Sequence, residues 1–370
     1  MKFTKTFEDR EQLLTRLEGA GLHVPDRSAA IGFLTRVGYH RSGAYRYVFR
    51  TLRPAHLINH DLREYRFDTY IDGASINDVM TLEKFDRGLA RVCLTGTLDF
   101  EIRLRSAIAH TLAQRDVAAH LIPTHLDARQ CESPAAGKNA SAARNSQPAM
   151  TKFQAWEQTV HRAITASQVD EDSVAHHTRK YPRHPLPVWA VTEVLSMGSL
   201  PFLFDLMQTD DARSVARNFG FTHPRLFGTA IRAMADLRNY CAHGSRLFNR
   251  HFKRALVIPQ RKTQGSMLDH VSTPGYTATA SEAKRLYINA ALLAFMLTSH
   301  SEPSDWPAQF RAQIESLNLP LIDSDGYRVV TPERSMGFPA DWQRHDLWNH
   351  SVSTGPLSTN QPCAGADGPP

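Results

Sequence analysis

A chain of 370 residues that is 42% hydrophobic and 22% charged can bury a sizeable core, so it should fold as one large domain or two smaller ones. The longest apolar run, Ile288 to Thr298, is far short of the ~20 residues of a membrane span, and Met1 to Lys5 lacks a leader's apolar stretch, which argues for a cytoplasmic protein without a membrane partner. Its four cysteines, Cys93, Cys131, Cys241 and Cys363, have no C-x-x-C pair to hold zinc, and the net charge of +6, carried by arginine, favours an anionic partner.

Helical periodicity dominates. Leu13, Leu14, Leu17 and Leu22 mark a first helix between Phe7 and Leu22 that Gly19 and Gly21 end, and a second is expected from Asp26 to Val37. The aromatic-basic string Gly38 to Phe49 reads as a packed connection whose tyrosines cover the core while its arginines stay wet; direct contact with RNA is the competing reading. Ile76 to Leu121 is the clearest long helical region, with Val79, Leu82, Phe85, Leu89, Val92 and Leu98 at three- and four-residue spacing and Gly96 as a possible break.

From His125 to Pro148 the apolar rhythm stops, and this Ala-, Ser- and Asn-rich stretch reads as an exposed insertion. Helices are expected again over Thr151 to Ser167, from Val188 through Phe202 to Met207, over Asp210 to Asn218, and over a long stretch from Pro224. Ser281 should cap a helix reaching about Ser299, and residues 350–370 have almost nothing to bury and read as a disordered tail. No run reads as a convincing strand; Arg254 to Pro259 offers one short strand at most.

The chemistry-bearing stretch is Leu237 to Arg250. On a helix turning ~100° per residue, Asn239 and His243 share a face, Arg246 and Arg250 extend that stripe if the helix runs past Gly244, and Arg238 lies a quarter-turn from Asn239. Histidine can move protons near neutral pH and arginine can hold phosphoryl charge, the two demands of RNA cleavage without a metal. The spacing alone decides little: Arg105/His110, Arg115/His120, Arg179/His184 and Arg246/His251 repeat it, where chance gives roughly one or two. Arg238/His243 stands apart through Asn239, the small Ala242 and the amphipathic helix leading into it. Glu101 and Arg105, one turn apart, form an intrahelical ion pair on the simplest reading. His176, His177 and His184 beside Asp170 to Asp172 have no familiar metal-ligand spacing and read as a polar surface connection.

Several ordered segments together resemble the Abi-like proteins, the bacterial abortive-infection group that includes AbiD and AbiF, within the wider HEPN superfamily. They are the opening Lys5 to Glu8, the Gly38 to Tyr45 string, Phe85-Asp86-Arg87 with Glu101 and Arg105, the Pro187 to Leu200 segment from Trp189 to Gly198, and Leu237 to Arg250. In the Gly38 to Tyr45 string Ala44 departs from the family's Ser-Gly-Tyr ending. The resemblance implies an all-α fold: a HEPN-type helical bundle over 76–300 with an insertion at 125–148, additional N-terminal helices over 1–75, and a C-terminal extension over 301–349. It further implies a metal-independent endoribonuclease with no cofactor, built as a homodimer whose catalytic Arg238, Asn239 and His243 face those of a second copy. The basic stripe makes Arg246 and Arg250, with Arg105, the expected RNA contacts. An RNA or protein antitoxin is a further implied partner. The competing classes are a non-catalytic helical module that binds RNA or protein, and a nucleotide-binding regulator.

Overall fold

Side-chain caps set the helix starts in the computed structural model, which describes residues 6–135, 150–256, 266–272, 284–299 and 304–349. Asp9 caps α1 (Arg10–Gly19) and Asp26 caps α2 (Arg27–Val37), each accepting from a backbone N–H of the first turn. The string after Gly38 is itself helical, forming α3 (Tyr39–Arg46). Tyr45 and also Arg46 are buried there: the Arg46 guanidinium donates to the Tyr70 hydroxyl at 3.0 Å and the Tyr39 carbonyl at 2.9 Å, so this arginine is not wet.

Two strands escape the sequence reading. β1 (Arg50–Leu52) and β2 (Arg66–Tyr70) pair antiparallel, Arg50 opposite Tyr70 and Leu52 opposite Arg66, with an irregular register between. Runs this short carry no alternation long enough to read.

The organising element is α4 (Ile76–Ala113), 38 residues and so about 57 Å long at 1.5 Å per residue. A capping box between Ser75 and Asp78 starts it, and Gly96 does not divide it. Gly96 instead admits the Trp306 indole, which donates to the Val92 carbonyl at 2.7 Å; a Cβ at 96 would lie 2.7 Å from Trp306 Cδ1. Leu98, expected on the inner face, is 39% exposed.

Part of the expected insertion is ordered: α5 (Ala128–Glu132) buries Cys131 and packs on α6 (Lys152–Asp170), while 136–148 lie outside the described residues. Next come α7 (Asp172–Lys180), α8 (Val188–Val194), α9 (Leu200–Leu206), α10 (Thr209–Arg217) and α11 (Pro224–Ala242). After α12 (Asp269–Ser272), α13 (Leu286–Thr298) is buried on all faces up to Leu297, as a helix with apolar residues all round must be, and its one buried amide, Asn289, donates to the Arg285 carbonyl at 3.0 Å. It starts at Leu286 behind Arg285, and the expected cap Ser281 lies outside the described residues, as do the second half of Arg254 to Pro259 and the tail 350–370.

Finally α14 (Trp306–Glu315) and α15 (Pro332–Met336) are joined to the core by Trp306, Phe310, Trp342 and Trp348, all at or below 1% exposure. Around α4 stand α3, α8, α10, α11, α13 and α14, making the fold mostly α with one small sheet. Among the described residues no helix is long and apolar enough to cross a membrane.

His120 is wholly buried, neither ring nitrogen has a hydrogen-bond partner among the described residues, and burial pushes its pKa down to about 4. The unfolded chain therefore takes up a proton that the folded one refuses, so the stabilisation is complete above about pH 6.5 and is lost as pH falls toward the folded value. Unfolding free energy measured from pH 7 to 4 should fall less steeply for His120→Leu than for wild type, by up to ~1.4 kcal/mol per pH unit. Parallel curves would refute this.

Candidate active site at the end of helix α11

The turn carrying His243 is fixed by backbone geometry. α11 ends at Ala242, His243 occupies the C-cap, and Gly244 takes φ +60°, a left-handed conformation that favours glycine. Ser245 N–H donates to the Tyr240 carbonyl at 2.8 Å and Gly244 N–H to that of Cys241 at 3.0 Å, the pair of bonds that defines a Schellman end. The helical stripe expected through Arg246 and Arg250 is therefore not formed.

A buried carboxylate holds the chain beyond the turn. Asp86 on α4 is 2% exposed and accepts the N–H groups of Leu247 (3.1 Å) and Phe248 (2.6 Å) and the Tyr45 hydroxyl (2.7 Å). Burial pushes its carboxyl up, opposed by these three donors and by the Arg246 charge. Arg246 is half-buried beside this centre; Arg250 donates to the Arg246 carbonyl and lies 4.3 Å over the Tyr240 ring. Asn249, also left-handed at φ +49°, accepts from Arg285 at 2.9 Å. The Arg-Leu-Phe-Asn-Arg segment thus chiefly locks the turn, a role that spacing gave no means to foresee.

Asn239 and His243 are both exposed. Arg238 is turned toward α4, its Nε 3.5 Å from Glu101 Oε2; that distance makes an ion pair, though no hydrogen bond closes it. The Nε is buried, so the 33% exposure of this side chain belongs to its other atoms. Among the described residues no hydrogen bond joins Arg238 to His243.

The Glu101–Arg105 pair forms as expected, but Arg105 does not face solvent. It is 9% exposed and donates to the carbonyls of Thr192, Glu193 (2.9 Å) and Leu195 (2.8 Å) at the end of α8. Expected among the RNA contacts, this guanidinium instead has four of its five N–H donors engaged by a carboxylate and three carbonyls of its own chain. It also accounts for the Pro187 to Leu200 segment, whose helix end it satisfies.

Beside Asn239 runs a groove of about 390 Å³ lined by Lys152, Phe202, Arg232, Asp236 and Arg254, with Arg232 paired to Asp205 and Arg254 to Asp236. Across α11, the buried thiol of Cys241 neighbours that of Cys93 on α4, and this neighbour and burial raise the Cys93 thiol pKa. No cluster of three or more His, Cys, Asp or Glu residues suited to a metal ion occurs among the described residues.

A mostly helical protein whose exposed Asn and His sit at the end of a buried amphipathic helix defines the class. Residues 32–249 match the family model described as Abi-like protein, more than half of the chain, and the protein belongs to that family. No curated protein and no solved structure matches it.

Two stability outcomes follow. Asp86→Ala, which strands two buried N–H groups and a hydroxyl, should cost about 2–4 kcal/mol in denaturant unfolding. Arg105→Ala leaves Glu101 buried without its closest cation and should cost about 3–5 kcal/mol. A loss under ~1 kcal/mol would remove either residue from the scaffold.

Proposed function

We propose that this Abi-like protein is a metal-independent endoribonuclease of the abortive-infection or toxin type, of the AbiD/AbiF kind within the HEPN superfamily. The observation that carries the reading is the last turn of α11, where His243 and Asn239 stand exposed on a rigid Schellman end while Arg238 is steered by buried Glu101. Such a turn offers a proton-transfer group and a hydrogen-bonding amide with little freedom to lose on binding.

In the reaction the RNA 2′-oxygen attacks the neighbouring phosphorus, losing its proton as the bond to the 5′-oxygen breaks; the departing oxygen takes up a proton and a 2′,3′-cyclic phosphate remains. One imidazole serves one of these transfers, so the composite site takes His243 from each of two copies. Arg238 holds the phosphoryl charge, and Asn239 orients His243 or the strand. Arg246 and Arg250, half-exposed, are secondary RNA contacts. The non-catalytic RNA- or protein-binding module is the second reading, favoured by the lack, among the described residues, of a hydrogen bond between Arg238 and His243. An RNA or protein antitoxin remains a partner on either reading.

With EDTA present, the wild-type protein should cut single-stranded RNA to cyclic-phosphate ends, and His243→Ala should be at least ~10²-fold slower. Intact RNA at high wild-type concentration, or equal cutting by the variant, would replace the nuclease by the binding module.

A further inference from the structure

On the side of the last α11 turn away from Asn239, Gly244 and Ser245 form one wall of a second, smaller cavity of about 140 Å³. Its other walls bring together Arg41 of α3 with Arg87 and Arg91 of α4, all three exposed. Sequence reading singled out Arg41 and Arg87 only within longer segments, and nothing local joins residues fifty positions apart.

The charges around this cavity are unbalanced. Asp86 also lines it, but its oxygens already accept from Tyr45, Leu247 and Phe248. Arg87 leans on Glu83 at 3.6 Å, a carboxylate that Arg36 shares at 3.3 Å. Arg41 and Arg91 have no carboxylate within ion-pair distance among the described residues. In the groove beside Asn239, by contrast, Arg232 and Arg254 are each neutralised by an aspartate.

Size selects the ligand further. The volume equals about four or five waters at ~30 Å³ each, room for one tetrahedral anion but below the ~300 Å³ at which pockets for whole small molecules begin. Planar guanidinium groups suit phosphate oxygens, and Ser245 lines the same cavity. Gly244 and Ser245 are one and two residues beyond His243, at most ~3.8 and ~7.6 Å along the Cα trace.

From this convergence we infer that Arg41, Arg87 and Arg91 form a phosphate subsite that grips the RNA backbone beside the phosphodiester presented to His243. The inference rests on the nuclease reading for the strand's position, and on the cavity alone for the phosphate. Because the three side chains meet on one anion, together they neutralise a single backbone charge.

The test uses a fluorescent single-stranded RNA oligomer bound to the full chain carrying His243→Ala, so that binding is read without cleavage. Adding Arg41→Gln, Arg87→Gln and Arg91→Gln should raise Kd about tenfold and reduce the slope of log K against log salt by ~0.7, the value for one phosphate on a single strand. Unchanged affinity, or a parent that binds no RNA, overturns the subsite; a slope change near 2 means three separate phosphates and overturns it as drawn. Should the triple variant melt early, the single Arg91→Glu replaces it, with weaker binding at unchanged melting temperature expected and equal binding decisive against. Wild-type cleavage is scored separately: an uncut substrate with arginine-dependent binding would end the nuclease reading and leave the subsite standing.

Discussion

A single buried carboxylate, that of Asp86, holds three parts of the molecule in register. Carrying a carboxyl group to 2% exposure on α4 is unfavourable unless its oxygens are satisfied, and they are satisfied by Tyr45 from α3 and by two backbone N–H groups just past the motif helix. The N-terminal helices, the central helix and the turn with His243 thus meet at one point. Both the exposed histidine and the three-arginine cavity beside it inherit their positions from that point.

A second buried carboxylate does related work one stretch further along α4. Glu101 lies between Arg105, which closes the end of α8, and Arg238 of the motif helix. Much of the family-like signature consequently builds scaffold: Arg105, Asn249 and the chain from Arg246 to Phe248 hold elements together. Asn239, His243 and part of Arg238 are what the scaffold presents to solvent.

Much of this was legible in the sequence because local chemistry decides it. Asp9, Asp26, Ser75 and Thr151 accept first-turn N–H groups, so helix starts could be placed within a few residues. The end of α11 was only conditional on Gly244, since a glycine stops a helix when a left-handed residue can also satisfy the last carbonyls, as it does here. The direction of Arg105 was not legible: its partners Thr192, Glu193 and Leu195 are about ninety residues away. The β1–β2 ribbon and the helix α5 were missed for the same reason, being short pieces stabilised by what they pack against.

The notch at Gly96 ties the two ends of the chain's history together. A methyl group at that position and the indole of Trp306 cannot share the same space, and the indole is one of the buried rings that hold 304–349 against the central helix. The glycine at 96 is therefore a demand made by a residue 210 positions away, and it lapses wherever that indole is removed.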